Sequence, residues 1–411
     1  MLFKNNIKCF FECIFYNFGR GSTPDSRLLS YIGILLILLL VGGREVSKIK
    51  VFESLYLIDI SFVILTISIL IRTRFKLMSP IFLLAFISIF ANLIVSYFIS
   101  SAPIEIIIRQ FVLFVYPFSC YVIVINLIHK YKIEELYRII IGTAALSVVF
   151  QLFFLVYLIF TGSFDIAGFN YLSPLVVCGF IVWACYIFVL NGFSALPQWF
   201  MLLVISLTFG HASAVLAIGL TPFLYLLFKS KIINRISILL LIIGLFYTVF
   251  VSYPGLVDMN ASWRLSYWGD ALDRLSLSYN WVFGFGFGEL YANDNTRFIF
   301  TDLFGHDNDL SVVNEGYYKA FHNSYITIFF HIGIIGIVFL LPQIRALFIT
   351  RSCYQNELFL VSTMAVFSLS VWVSLNVILE LPHSAHYFWF LFYICFYLQQ
   401  SVKSQARLFR F

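Results

Sequence analysis

Long apolar runs, separated by short polar segments, follow one another along nearly the whole chain. An α-helix needs about 20 mostly apolar residues to cross a bilayer core about 30 Å thick. The runs therefore predict an all-α membrane protein with about twelve transmembrane helices. The expected spans are 28–43, 55–71, 79–99, 105–128, 138–160, 171–190, 198–209, 211–228, 236–252, 322–341, 357–379 and 384–400.

One polar segment, 253–321, is far longer than the other connections and separates the ninth span from the tenth. It divides the chain into an N-terminal helical bundle at 1–252, the loop itself, and C-terminal spans with a tail at 322–411. Short connections elsewhere make this loop the expected place for function.

The positive charges are distributed unevenly between the two sides of the predicted bundle. With the N-terminus inside, most of the 26 Lys and Arg residues flank the cytoplasmic ends of the spans. Cytoplasmic loops retain such charge. The pattern predicts a multi-pass membrane protein with both termini in the cytoplasm and the loop 253–321 on the outer side.

Composition excludes several other classes of protein. Hydrophobic residues make up 61% of the 411 residues and charged ones 11%, whereas a soluble domain carries about 25% charged residues. The formal charge of +6 is scattered between apolar runs, so no nucleic-acid partner is expected. The seven cysteines form no disulfide framework, and no metal site is predicted because Cys9 and Cys13 lack further ligands nearby.

Within the loop, residues 261–278 show helical periodicity and predict a short amphipathic helix at the outer membrane surface. Arg264 is expected at the edge of its apolar face and Arg274 nearer its polar face. A guanidinium there could hold a lipid pyrophosphate, or it could simply extend to the lipid headgroups. The predicted apolar face consists of Leu265, Trp268, Ala271, Leu272 and Leu275.

His322 begins the tenth span, where an imidazole at the outer surface could act as a base near neutral pH. Asn323 or Ser324 could instead cap the helix. Nine residues further on, His331 falls on the opposite helix face and is expected to be a packed, hydrogen-bonded residue. Polar residues inside predicted spans are candidates for function or for buried partnerships. These are Asp59, Arg109, Gln110, Gln151 and His211.

Two of these motifs resemble a known family. His322-Asn323, followed after nine residues by Gly333 and after two more by Gly336, resembles a signature of the O-antigen ligase and polymerase superfamily. Arg264 with Trp268, and the glycine-rich stretch 284–288, are similar to that family's arginine-tryptophan and glycine-rich segment. In motif terms the resemblance covers about 200–345.

The resemblance implies a metal-independent glycosyltransferase of the bacterial inner membrane, with its active site facing the periplasm and without a cofactor. Its donor would be an undecaprenyl-pyrophosphate-linked oligosaccharide in the membrane lipid, and a chain-length regulator protein is a further expected partner. Arg264 would hold the pyrophosphate and His322 would activate the attacking hydroxyl. Further substrate contacts are expected from Arg109, His211, Arg274, Trp268 and Asn323.

The acceptor stays open at this point. Family members often carry an arginine where this chain has His211, and this departure favours an O-antigen polymerase, which joins the chain to another lipid-linked repeat unit. An O-antigen ligase, which transfers the chain to the lipid A core, is the alternative. A non-catalytic transporter or flippase of the lipid-linked sugar is a second alternative.

Overall fold

The structure is a computed structural model, and it describes most of the chain. The described residues are 2–16, 24–47, 49–52, 55–73, 79–129, 133–161, 174–209, 212–231, 259–277, 279–292, 296, 320–349 and 351–408.

Helices dominate the described part of the chain. Proline opens several of them, at Pro24, Pro80 and Pro174, where its missing N–H has no helical partner to lose. The helices of the first half are α1 (Leu2–Tyr16), α2 (Pro24–Ser47), α3 (Leu57–Thr73), α4 (Pro80–Ile99), α5 (Ile104–His129), α6 (Ile133–Thr161), α7 (Pro174–Asn191), α8 (Leu196–Ser206), α9 (Ala212–Gly219) and α10 (Thr221–Lys229). Those of the second half are α11 (Met259–Ser276), α12 (Asn280–Phe283), α13 (Ser324–Ile332), α14 (Leu341–Phe348), α15 (Glu357–Val373) and α16 (Pro382–Leu408).

Within the described residues, seven helical stretches are long and apolar enough to cross a membrane. The apolar helix α15 is shorter. The fold is therefore all-α, as predicted, with several helices that could cross a bilayer. The seven stretches are Ser26–Gly43, Pro80–Ile99, Ile104–Ile128, Ile133–Thr161, Pro174–Ser206, Ala212–Lys229 and Ser324–Phe348.

Several predicted spans differ in detail from these helices. The predicted tenth span, 322–341, is interrupted: α13 ends at Ile332, a 3₁₀ segment runs from Gly333 to Leu340, and α14 continues to Phe348. Gly333 has a φ of 58°, which breaks the α-helical geometry. The predicted ninth span, 236–252, lies outside the described residues, as does most of the second half of the predicted loop.

A small hairpin precedes α3 where the sequence predicted no strand. Strand β1 (Lys50–Phe52) pairs antiparallel with β2 (Leu55–Tyr56). The backbone N–H of Tyr56 then donates to the carboxylate of Asp59, 2.9 Å away, in the first turn of α3. The hairpin thus brings Tyr56 to the end of the bundle that carries the candidate site.

The core of the bundle is formed by helices that are apolar on every side. In α7 and in the first half of α16 nearly all side chains are buried, including Trp183, Tyr387 and Trp389. A helix that is hydrophobic all round belongs in the interior of a bundle. Outer helices expose large apolar side chains instead, among them Phe98 on α4 and Phe160 on α6, as lipid-facing helices do.

Helix α11 forms where the sequence predicted an amphipathic helix, but its buried face is rotated from the predicted one. Ala271 and Leu275 are buried as expected, whereas Leu265 and Leu272 are about half exposed. The side chains that complete the buried face are aromatic, because they pack on the segment before α13. The residues of this small cluster are Trp263, Tyr267, Ala271, Leu275, Tyr291, Ala292, Ala320, Phe321 and Phe330.

Candidate functional site

The segment that leads into α13 holds His322 in an unusual conformation. Its φ is 51°, and within the described chain it is the one non-glycine residue with a positive φ. Such a conformation costs about 1–3 kcal/mol and persists only where the surroundings enforce it. The next residue, Asn323, caps the helix by accepting hydrogen bonds from the N–H groups of Tyr325 and Ile326, each at 3.1 Å.

Trp263 of α11 links the two residues that the sequence predicted to be catalytic. Its ring centroid lies 5.2 Å from that of His322, edge to face, and 5.5 Å from the guanidinium carbon of Arg264. Trp263 is itself buried, while Arg264 and His322 are partly exposed. The structure therefore brings Arg264 and His322, which are 58 positions apart in the sequence, against one indole ring.

Trp268 fixes α11 to this segment. Its indole N–H donates to the backbone carbonyl of Phe321, 2.6 Å away. The ring of Tyr267 also packs on Phe321, with centroids 4.9 Å apart. This hydrogen bond to Phe321, the residue before His322, positions α11 relative to His322.

Arg274 uses its guanidinium to hold a neighbouring part of the chain. It donates to the carbonyls of Tyr291 and Leu290, at 3.1 and 2.9 Å, and to the carboxylate of Glu289 at 2.9 Å. Its guanidinium also lies 4.8 Å from the ring centroid of Phe330. The sequence placed Arg274 nearer the polar face, but the structure shows it largely buried as a clamp.

The segment held by Arg274 is the glycine loop, residues 284–292. Gly284, Gly286 and Gly288 all have positive φ, between 73° and 84°. A Cβ on Gly284 would overlap the carbonyl group of His331, and one on Gly333 would overlap that of Val282. The glycines of the resemblance therefore permit backbone-to-backbone packing between this loop and the end of α13.

Helices α4 and α5 bind the other side of the glycine loop. Ser96 accepts from the N–H of Phe287 at 2.7 Å, and Ser100 donates to the carbonyl of Gly288 at 3.1 Å. Gln110 accepts from the N–H of Gly288 and donates to the carbonyl of Glu289, at 2.7 and 2.9 Å. Gln110, a candidate from the sequence, is thus an anchor for the loop.

His331 is buried and hydrogen-bonded, as the sequence predicted. Its Nδ1 lies 2.5 Å from the carbonyl oxygen of Gly286, and its Nε2 lies 2.7 Å from the hydroxyl of Tyr291. A carbonyl can only accept, so Nδ1 carries the proton and Nε2 accepts from the tyrosine. His331 therefore supports the glycine loop from behind.

Arg109 lies between α3 and the turn that joins α15 to α16. Its Nη1 is 3.7 Å from the Asp59 carboxylate, and its Nη2 is 3.5 Å from the backbone carbonyl of Glu380. The ring of Tyr56 covers the guanidinium, 4.4 Å from ring centroid to Cζ. Asp59 also accepts from the hydroxyl of Tyr116 at 2.8 Å. The sequence allowed two roles for Arg109, a buried ion pair or a contribution to the site. The structure gives it the buried partner Asp59 and also a contact with the turn at Glu380.

Glu380 is a member of this site that the sequence reasoning missed. Its Oε2 accepts a hydrogen bond from the hydroxyl of Ser324, the first residue of α13. Ser324 in turn accepts from the N–H groups of Ile378 and Leu379, at 3.0 and 3.1 Å. The signal in the sequence was that Glu380 is the sole acidic residue after Glu357.

The pKa of the Glu380 carboxyl is shifted toward neutrality. Burial raises this pKa to about 7, while the hydrogen bond from Ser324 opposes the rise. Burial also raises the pKa of the Tyr291 hydroxyl, an effect to which the nearby Glu380 adds and which Arg109 opposes. A carboxyl with a pKa near 7 can exchange a proton at physiological pH.

The start of α9 also joins the site. The amide of Asn376 donates to the hydroxyl of Ser213 at 2.6 Å, and the carbonyl oxygen of Asn376 lies 3.1 Å from the hydroxyl oxygen of Ser324. Ser213 follows His211 by two residues, and His211 lies outside the described residues. Gln151, another candidate, donates to Thr208 at 3.4 Å and does not contact this group.

No protein-family model, no curated protein and no solved structure matches the chain. The geometry of the site is therefore the basis for its interpretation. One end of the bundle carries two arginines, Arg109 and Arg264, an imidazole at His322 and a carboxyl at Glu380. Trp263 contacts both Arg264 and His322. Ser324 follows His322 by two residues and bonds the side chain of Glu380, whose backbone carbonyl accepts from Arg109.

Two further features bear on what such a site could bind. An apolar groove of about 300 Å³ runs between α11 and α13, next to the arginine clamp. Across the described part of the chain, no three His, Cys, Asp or Glu side chains converge in a way that could hold a metal ion. The groove is lined by Leu272, Leu275, Ser276, Trp281, Ile326, Phe329, Gly333 and Ile334.

Proposed function

We propose that this protein is a membrane glycosyltransferase of the O-antigen polymerase type. It would transfer an undecaprenyl-pyrophosphate-linked glycan chain onto another lipid-linked repeat unit at the periplasmic face of the inner membrane. The observation that carries the proposal is the shared contact of Arg264 and His322 with Trp263, because the resemblance assigns the two chemical roles to those residues.

The proposed reaction requires a cation where the leaving group departs. Negative charge develops on the pyrophosphate as its bond to the sugar breaks, and fixed guanidinium groups stabilise it. Arg264 is partly exposed and suits this role, with its planar fork matched to phosphate oxygens. Arg109 would contribute a second positive charge nearby, because it contacts the backbone carbonyl of Glu380, whose side chain bonds Ser324.

His322 is proposed to orient and activate the attacking sugar hydroxyl. Its strained backbone and the packing of Trp263 fix the position of the imidazole, and preorganisation of this kind lowers the cost of reaching the transition state. Asn323 and Trp268 support that position from the helix cap and from α11. Arg274 supports the adjacent loop, and His211 remains a proposed contact to the pyrophosphate.

The membrane arrangement is part of the same proposal. About twelve spans, cytoplasmic termini and a periplasmic loop at 253–321 would place α11, the glycine loop and His322 on the outer surface. The apolar groove beside α11 then faces the depth at which an isoprenoid chain begins. A chain-length regulator would act from outside this bundle.

The first test is complementation of a strain that lacks the gene, with surface polysaccharide separated by size on a gel. A polymerase predicts that the null strain carries core with a single repeat and that the wild-type gene restores a ladder. A null strain whose core bears no repeat while long lipid-linked chains accumulate identifies a ligase. Lipid-linked single repeats trapped on the cytoplasmic side of the null strain's membrane identify a transporter.

A further inference from the structure

Glu380 occupies a position that only the folded chain reveals. It lies in the turn between α15 and α16 and directs one carboxylate oxygen, Oε2, to the hydroxyl of Ser324. The other oxygen, Oε1, is buried and has no hydrogen-bond partner among the described residues. An unsatisfied carboxylate oxygen costs free energy, so its presence beside a candidate active site needs an explanation.

The turn that carries Glu380 is held tightly in place. Arg109 donates to the backbone carbonyl of Glu380, and the carboxylate that it pairs with is that of Asp59. Ser324 joins the turn to α13, because its hydroxyl donates to the Glu380 carboxylate and accepts from the N–H groups of Ile378 and Leu379. The carboxyl is therefore fixed relative to Asn323 and His322, which immediately precede Ser324.

We propose that Glu380 is the general base that accepts the proton of the attacking sugar hydroxyl. This inference rests on the proposed glycosyl transfer. In this scheme the carboxylate of Glu380 takes the proton of the sugar hydroxyl, and His322 orients that hydroxyl by hydrogen bonding.

The proposed step balances without any further reactant. The acceptor hydroxyl oxygen forms a bond to the anomeric carbon of the donor sugar, and the bond from that carbon to the pyrophosphate oxygen breaks. The bonding electron pair leaves with the pyrophosphate, whose charge Arg264 offsets. The hydroxyl proton passes to Oε1 of Glu380, and this neutral carboxylic acid later releases it to solvent.

The electrostatic surroundings of Glu380 suit a base that works near neutral pH. The charged and titratable groups that the structure places near it are Arg109 on α5, Asp59 beside that arginine and Tyr291 on the glycine loop. His322 lies two residues before Ser324, the hydrogen-bond partner of the carboxyl. Burial outweighs the hydrogen bond from Ser324 and raises the pKa of the carboxyl to about 7. A pKa close to the working pH maximises the efficiency of proton transfer.

The test is an elongation assay with the purified full-length protein in lipid vesicles. The substrate is the lipid-linked repeat unit extracted from the deletion strain, and initial rates are measured over a pH range from about 5.5 to about 9, which brackets the expected pKa. The wild type should lose rate below an apparent pKa near 7. Glu380→Gln should lower the rate about 100-fold or more, and the residual rate should lack this acid limb.

Two further variants and a control separate a base from a structural support. Ser324→Ala removes a hydrogen bond that lowers the carboxyl pKa, so the acid limb should move to higher pH. His322→Gln should lower the rate but keep the acid limb. Asp273→Asn, which changes an exposed carboxylate on α11, should leave both rate and profile unchanged.

The outcomes distinguish this inference from the proposed function. A wild-type protein that does not lengthen the glycan overturns the proposed function, and the inference with it. A wild-type protein that lengthens the glycan, beside a Glu380→Gln protein with a rate within a few-fold and the same acid limb, overturns the inference alone. Loss of the acid limb in His322→Gln would assign the base to the imidazole.

Discussion

The hydroxyl of Tyr291 donates a hydrogen bond to Nε2 of His331 over 2.7 Å, and this buried contact joins the glycine loop to α13. The tautomer follows from the second contact of the ring, because the carbonyl of Gly286 can only accept from Nδ1. His331 is thus a neutral structural histidine that satisfies one donor and one acceptor of the loop.

Tyr291→Phe should therefore destabilise the protein by about 1–3 kcal/mol, because it leaves Nε2 of His331 buried without a donor. The apparent melting temperature in detergent measures the effect. His331→Phe keeps the packing on Phe287, whose ring centroid is 5.2 Å away, but loses the same hydrogen bond. The two substitutions should be less costly together than the sum of their separate effects, and strict additivity would refute the coupling.

Arg274→Lys should loosen the glycine loop although it keeps the positive charge. A lysine ammonium cannot reproduce a planar fork that bonds two carbonyls and the Glu289 carboxylate, so we expect a loss of about 2–3 kcal/mol. Limited proteolysis should cut the loop faster. Glu289→Gln should cost under about 1 kcal/mol because the Glu289 side chain is 43% exposed. Equal costs for the two substitutions would contradict the clamp.

Two glycines should respond to alanine in opposite directions. Gly284→Ala drives a Cβ into the backbone of His331 at a φ of 74°, so the loop cannot keep its conformation and the melting temperature should fall sharply. Gly269 lies within α11, and a Cβ added there would meet no atom within 4 Å, so Gly269→Ala should stabilise the helix by about 0.5–1 kcal/mol. A stable Gly284→Ala protein with wild-type melting would refute the close backbone packing.

Stability should also depend on pH through Glu380. The ordinary pKa of a glutamate is 4.5 and the folded value is raised to about 7, so the folded state favours the neutral acid. The resulting penalty is absent below pH 4.5, grows as the pH rises toward 7 and reaches about 3 kcal/mol above it. Glu380→Gln should remove this part of the pH dependence of melting between about pH 4.5 and 7. Identical profiles for wild type and variant would contradict a buried, titrating carboxyl.

The sequence predicted the helical architecture because apolar run length depends little on tertiary contacts. It also predicted the capping option at Asn323 and the packed state of His331. The buried face of α11 was predicted only in part: Ala271 and Leu275 are buried, whereas Leu265 is exposed. The partners available to α11, Phe321 and Tyr291, select aromatic neighbours, which hydropathy ranks below leucine. The exposed Leu265 and Leu272 are instead suited to contact with lipid.

The candidate site could be predicted only in part for a related reason. Arg264 and His322 carried local signals, an arginine on an amphipathic helix and a histidine at a helix start. Glu380 has no such motif around it, and its role depends on the approach of α13 to the turn after α15. Contacts between segments so distant in the sequence are set by the packing of the whole bundle.

The most direct test of the central claim compares Arg264→Ala and His322→Ala in the deletion strain at matched membrane levels. Ser266→Ala, on the exposed side of the same helix, is the matched control. We expect Ser266→Ala to restore the full polysaccharide ladder, and the other two substitutions to leave core with a single repeat. Full ladders from both Arg264→Ala and His322→Ala would contradict a catalytic site at Trp263.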